Sequence, residues 1–138
     1  MRILAVDWGM RRIGLAVSDP SGVIASALAT LRVTGREEAL AGVSRVAAEQ
    51  EVERIVVGLP LLMSGARGRA AEAAEAFARA IAERTGIAVD TYDERLTSAL
   101  SQRRMHEIGM KPGRAKERVD QGAAMALLES YLTRHPRR

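Results

Sequence analysis

The chain has 138 residues, no cysteine and a formal net charge of +4. That length suits one domain with a full hydrophobic core, so residues 1–138 are expected to fold as a unit. The missing cysteines exclude disulfides, zinc–thiolate sites and thiol catalysis, and no apolar run approaches the ~20 residues of a membrane span. The first apolar run, Ile3 to Val6, is broken by Asp7, which is no signal peptide; a cytoplasmic protein is expected. Charge is unevenly spread. From Arg95 onward there are ten Lys or Arg against four acids, whereas residues 1–94 hold eleven against thirteen. Arginine outnumbers lysine nineteen to two. Base composition accounts for most of that preference but not for the asymmetry. A basic last third points to an anionic partner, most simply nucleic acid.

In chain order, Ile3–Asp7 reads as a short buried strand. Ile13–Ser18 follows the turn Gly9-Met10-Arg11-Arg12. Val23–Leu31 follows the turn cluster Asp19-Pro20-Ser21-Gly22. Tight turns between these strands imply an antiparallel meander. Thr34 with Glu37 predicts a capping box opening a helix over 36–50. Arg54–Gly58 reads as a buried parallel strand. Ala70, Ala73, Ala74, Phe77 and Ile81 make a helix stripe closed by Gly86. Ile87–Tyr92 is the fifth strand, Leu96–Ile108 a helix, Lys111–Arg114 a polar loop and Lys116–Leu132 the last helix. Residues after Arg134 are expected to be frayed and solvated. The pattern predicts an α/β fold: a mixed five-stranded sheet, with a three-strand antiparallel meander plus two parallel strands, and helices on both faces.

Three apolar elements each deliver an acid. The first strand stops at Asp7, and the fifth stops at Asp93-Glu94. Asp120 opens the stripe Ala123, Ala124, Leu127, Leu128, Tyr131 of the last helix. Buried carboxylates are costly unless paired or metal-bound. Converging acids without nearby His or Cys suggest a hard-cation site of oxygen ligands. Two divalent ions bridged by a shared carboxylate can activate a water and stabilise a leaving alkoxide in phosphodiester cleavage. Simpler roles compete. Asp7 could cap a turn, and Asp120 could favour the helix dipole or pair with Arg118 or Lys116. Strand alternation lets only one of Asp93 and Glu94 face a site, leaving the other for a backbone N–H or Arg95. Gly9 leaves backbone room for a phosphate or metal. The loop from Gly58-Leu59-Pro60 to Gly65 is either a phosphate cradle or a plain connection; it lacks the Lys-Ser/Thr end of a P-loop. His106 and His135 sit among charged residues and read as surface groups. Arg103, Arg104, Lys111, Arg114, Lys116 and Arg118 are either a solvated face or phosphate contacts flanking Asp120.

These residues resemble a known family. Asp7-x-Gly9-x-x-Arg12-Ile13-Gly14-x-Ala16-Val17-Ser18-Asp19 is similar to the opening of the YqgF, or RuvX, family. Val56-Val57-Gly58-Leu59-Pro60 with Gly65, then Asp93-Glu94-Arg95-Leu96-Thr97-Ser98, then Val119-Asp120-x-x-Ala123-Ala124 with Tyr131-Leu132 resemble its remaining blocks. The four blocks occur in order along the whole chain. The resemblance implies an RNase H-like fold, a nuclease of pre-16S rRNA 5′-end maturation, kinship with Holliday-junction resolvases, and a divalent-metal site at Asp7, Glu94 and Asp120. Gly122 and Glu129 depart from the family pattern, where an apolar residue and Gln are expected; Gly122 costs helix stability by up to ~1 kcal/mol.

The reading is a nuclease dependent on Mg²⁺ or Mn²⁺ that hydrolyses structured RNA. Asp7 would bridge the metals, with Glu94 and Asp120 on either side. Arg12, Arg95, Arg114, Lys116 and Arg118 would bind the nucleic-acid backbone. A DNA junction resolvase with the same chemistry is the first rival; it would need a dimer. A nucleic-acid-binding module with little catalysis is the second. No membrane partner is expected, and the chain should be a monomer or weak homodimer.

Overall fold

Two runs carry apolar residues on both sides of the backbone and take the centre of the sheet. They are β1 (Ile3–Trp8) and β4 (Arg54–Leu59), which pair in parallel with Val6 opposite Val57. The computed structural model describes residues 1–62, 64–97 and 114–135, and of residues 114–121 the helical backbone alone. β2 (Arg12–Ser18) and β3 (Ala25–Arg32) extend the sheet antiparallel on one side; β5 (Ala88–Asp93) extends it in parallel on the other. The order is β3-β2-β1-β4-β5, the expected meander joined to two parallel strands. Helices α1 (Arg36–Glu49) and α2 (Arg69–Thr85) cover one face, and α3 (Arg114–Arg134) covers the other.

Period-two alternation divides the core between these faces. Leu4, Val6, Ile13, Leu15, Val17, Ile55 and Val57 pack against Leu40, Val43, Ala47, Phe77 and Ile81. Ile3, Ala5, Ala16, Val56 and Tyr92 pack against Ala124, Leu127, Leu128 and Tyr131. Ala5 and Ala16 are the small residues of the second face, against which fully buried Ala123 and Ala124 of α3 also pack. Ser18, also buried, accepts the Ile3 N–H at 2.8 Å and ties the start of β1 to the end of β2.

Several boundaries differ from the sequence expectation for identifiable reasons. β3 begins at Ala25 rather than Val23. The amides of Val23 and Ile24 donate to Asp19 Oδ1, both at 2.8 Å, and Ile24 O accepts from Asp19 N–H at 2.9 Å. That closed loop takes both residues out of the ladder and leaves their side chains 71% and 63% exposed. The first helix has Gly35 at its N-cap with no side-chain cap. Thr34 Oγ1 instead donates to Glu38 Oε2 at 2.6 Å, so the pairing expected with Glu37 is displaced by one residue. β5 is shifted by one residue, to Ala88–Asp93, and α3 starts two residues early and ends two late. Gly86 closes α2 in the left-handed conformation, φ 72°, its N–H on Ala82 O. Where the helix expected over Leu96–Ile108 would open, a 3₁₀ turn, Glu94–Leu96, ends at an extended Thr97. The remainder of that expected helix, with the Lys111–Gly113 loop, Arg103, Arg104 and His106, lies outside the described residues, as does the tail after His135.

Phe77 is 1% exposed and stacks on Trp8, ring centroids 5.2 Å apart. Phe77→Ala should cost about 3–5 kcal/mol of stability through the cavity it leaves. The urea midpoint should fall with an unchanged m-value.

Candidate functional site

Strands β1, β4 and β5 all end at one edge of the sheet, at Trp8, Leu59 and Asp93. In open α/β sheets ligands gather at such an edge. Alternation sets which face each residue takes there. Ala5 and Val56 lie in the α3 core, so Asp7 and Gly58, two residues further on, share the α3 face. Asp7 lies opposite Gly14 of β2. Gly58 lies one step past Val57, the partner of Val6, and opposite Tyr92. The row Gly14, Asp7, Gly58, Tyr92 therefore crosses the sheet, with a glycine on each side of the carboxylate.

Glu94 comes to the same place from the turn after β5. A Cβ on Gly58 would lie 2.6 Å from Glu94 Oε1 and 3.2 Å from its Cγ. The Glu94 side chain thus folds back over the β4 backbone, and glycine is what leaves it room. Asp7 and Glu94 are each 4% exposed. Burial pushes the Glu94 carboxyl up to about 7, and the Asp93 charge adds to the rise. Asp93 turns the other way. It accepts the Arg95 N–H at 2.9 Å and pairs with the Arg95 guanidinium through Nε at 3.1 Å and Nη2 at 2.8 Å. Those hydrogen bonds hold Asp93 below the usual carboxylate range. The partners expected for the second acid, a backbone N–H and Arg95, are those that Asp93 has.

Neighbouring elements hold these groups in place. Trp8, next to Asp7, is anchored through the sheet on Phe77. Thr97 donates to Glu94 O from both N–H, at 3.0 Å, and Oγ1, at 2.9 Å. Ser130 of α3 donates to Leu96 O at 3.1 Å and lies 2.8 Å from Tyr92 OH. Tyr131 OH donates to Asp90 at 2.6 Å, and Arg54 pairs with the same carboxylate at 2.8 Å. Burial and that bond push the Tyr131 hydroxyl up to about 12. His135, exposed as expected, stacks on Tyr131 at 4.3 Å.

Two of the candidate ligand positions make contacts within the protein. At Gly9 a Cβ would meet Arg12 O at 2.7 Å across the hairpin. Four amides of the loop after β4 bond within the loop. Leu61 N–H donates to Leu59 O, Leu62 N–H to Ala66 O, Gly65 N–H to Leu62 O and Ala66 N–H to Ser64 Oγ. Its Gly65, at φ +88°, lies against the Arg95 guanidinium. Two features escaped the sequence reading, Gly58 as the cradle of Glu94 and Gly14 beside Asp7. The usable signal was a glycine inside an otherwise apolar strand, which marks close approach.

Asp120, Arg114, Lys116 and Arg118 all fall in the first two turns of α3, where the backbone alone is described. Asp120 precedes the buried Ala123 and Ala124 by one helical turn in sequence. Among the described side chains, no three His, Cys, Asp or Glu form a metal-ligating group. The Asp7 and Glu94 carboxylates are hard oxygen donors suited to a divalent cation. Arg12 opens β2 at the same edge and is half-buried; Arg95 is exposed and engaged by Asp93.

Residues 1–134 match the RuvX family, described as Holliday junction resolvase. A Chloroflexus aurantiacus protein named as a candidate pre-16S rRNA nuclease is 42% identical over 130 residues, covering 94% of this chain and 85% of the relative. Among solved structures, Thermus thermophilus RuvC in complex with Holliday junction substrate aligns with TM-score 0.60 at 18% identity, over 98% of this chain and 96% of that one. The Fowlpox virus resolvase with substrate Holliday junction DNA aligns with TM-score 0.59 at 11% identity, over 99% and 100%. The fold is RNase H-like, as the mixed sheet and its strand order indicate.

The raised Glu94 carboxyl predicts a pH dependence in metal-free buffer. Its folded value, about 7, lies above the ordinary 4.5. Between those values the folded state keeps a proton that the unfolded state releases, so stability falls as pH rises through that window. Glu94 alone should lower stability by about 3 kcal/mol between pH 4 and pH 8. Urea unfolding across that range should show a shallower decline in Glu94→Gln; parallel curves would contradict a raised carboxyl.

Proposed function

The chain belongs to the RuvX family, and on that premise we propose that it is a divalent-metal-dependent nuclease hydrolysing phosphodiester bonds in structured RNA. The proposed substrate is the 5′ end of pre-16S rRNA, the role in ribosome biogenesis, and the setting the cytoplasm. The observation that carries this reading is the juxtaposition of Asp7 and Glu94, two 4%-exposed carboxylates on one face and one edge of the sheet. Asp7, Glu94 and Asp120 would hold Mg²⁺ or Mn²⁺. When bound, such a cation lowers the pKa of the attacking water and offsets charge on the leaving oxygen.

The chain's own residues do the positioning. Asp7 sits on the central strand, paired with Gly14 of β2 and one residue past the Val6–Val57 pair that joins β1 to β4. Glu94 lies against the Gly58 backbone, its turn pinned by Thr97 and Ser130. Arg12, Arg95 and the α3 series Arg114, Lys116 and Arg118 would hold backbone phosphates, contacts that carry no sequence information. A four-way DNA junction is the second reading, favoured by the family's own description. Cutting two strands symmetrically would need a dimer; a monomer or weak homodimer suffices for the RNA reading.

Cleavage of matched RNA, duplex DNA and four-way-junction substrates, with Mg²⁺, Mn²⁺ or EDTA, tests both readings. RNA should be cut, and EDTA should stop the reaction. Asp7→Asn should lower the single-turnover rate at least about a hundredfold while the fold survives. Glu94→Gln should cost far more than Asp93→Asn, and Gly58→Ala should follow Glu94→Gln because its methyl displaces the carboxylate. Full activity in Asp7→Asn would overturn the site; the opposite ranking of the two acids would exchange their roles.

A further inference from the structure

The register of the outer hairpin contains an irregularity with a chemical consequence. Leu15 pairs with Leu28, but Ile13 pairs with Leu31 and Arg12 with Arg32. Between the first two pairs β3 spends one residue more than β2, which is a β-bulge. Without that extra residue the ladder would set Leu31 opposite Arg12 and turn Arg32 to the other face. Bulges beside functional sites commonly re-aim a side chain. Here the bulge brings two arginines into direct opposition, and opposed residues of an antiparallel pair project to the same face, their Cβ atoms about 4.5–5.5 Å apart.

That face is the one bearing the carboxylates. Arg12, Gly14 and Ala16 alternate on one side of β2; Ala16 lies in the α3 core and Gly14 opposes Asp7. The arginine pair stands one alternation step nearer the sheet edge than Asp7. Like charges set directly opposite each other destabilise a sheet unless something lies between them. Among the described residues, ion pairs engage Arg45, Arg54, Arg67, Arg84 and Arg95, and none engages Arg12 or Arg32. Arg12 is half-buried and Arg32 exposed, so both are open to a ligand. Guanidinium forks match phosphate oxygens.

We infer that Arg12 and Arg32 form a two-armed grip on a backbone phosphate of the nucleic-acid strand, next to the phosphodiester held at the carboxylates. This deepens the nuclease reading and rests on it. Arg32 contributes as much as Arg12, and β3 is part of the substrate surface. The grip is indifferent to base sequence.

The test measures binding and cleavage separately. A fluorescein-labelled RNA hairpin is titrated by anisotropy without divalent metal, over a series of KCl concentrations. Arg45→Ala is the control, because Arg45 lies on α1 on the opposite face and pairs with Glu49. Arg32→Ala should reduce affinity about tenfold, the loss of one charged contact. It should also reduce the slope of log affinity against log salt by about 0.7–0.9. Arg32→Lys should restore the slope but not the full affinity, since a point charge lacks the fork. The double Arg12→Ala/Arg32→Ala variant should lose less than the sum of its singles, because the pair shares one ligand. With Mg²⁺, KM should rise more than kcat falls. The melting temperature of Arg32→Ala should match or exceed that of the wild type, which separates lost binding from lost folding. Affinity and salt slope equal to those of Arg45→Ala would overturn the grip and leave the nuclease reading intact. A wild type inert on RNA and DNA with either metal would overturn the nuclease reading, and this inference with it.

Discussion

Carboxylates buried on the face of a sheet need space that ordinary strand residues would fill, and here glycine provides it. Glu94 lies over the bare backbone of Gly58, and Asp7 has Gly14 as its cross-strand neighbour. The arrangement of this face follows from that constraint. Its floor stays small, with Ala5 and Ala16 behind the glycine row, and the buried alanines of α3 pack on it. The opposite face takes the bulk instead, where Phe77, Leu4, Ile13 and Ile81 fill the core beneath α1 and α2. Near the carboxylates, glycine and alanine leave room for charge, while large side chains fill the core elsewhere on both faces.

The acids and arginines at the sheet edge are sorted by the same geometry. Adjacent residues Asp93 and Glu94 take opposite fates. Asp93 is partly solvated and satisfied by Arg95, whereas Glu94 is desolvated and pushed toward neutrality. On the proposed reading, a cation held beside this buried carboxyl would stabilise its charged form. Arg95 and Arg54 are each committed to an aspartate. Among the described residues no ion pair engages Arg12 or Arg32, and they stand on the carboxylate face.

Part of the site was readable as residues ending apolar runs. Asp7 after Ile3–Val6 and Glu94 after β5 could be picked out because charged groups at the ends of buried strands are costly without a purpose. Alternation let only one of Asp93 and Glu94 face the site, and the resemblance to the family's block pointed to Glu94. Gly58 and Gly14 were less visible. A glycine in a strand has several explanations, and which one applies depends on what lies across from it. The loop after β4 left two readings open in the sequence, a cradle or a plain connection, and four of its amides bond within the loop.

The sequence by itself determined the element order, the meander followed by parallel strands, the two-sided apolar pattern of β1 and β4, and the acids at the strand ends. These depend on periodicity and on the cost of burying charge, which are local properties of the chain. Tertiary structure alone decided which distant residues share a row. The pairing of Asp7 with Gly14, the fold of Glu94 onto Gly58 and the bulge that opposes Arg32 to Arg12 are matters of register. A shift of one residue sends each side chain to the opposite face. No local pattern fixes that shift; it is set by the packing of the whole sheet between its helices.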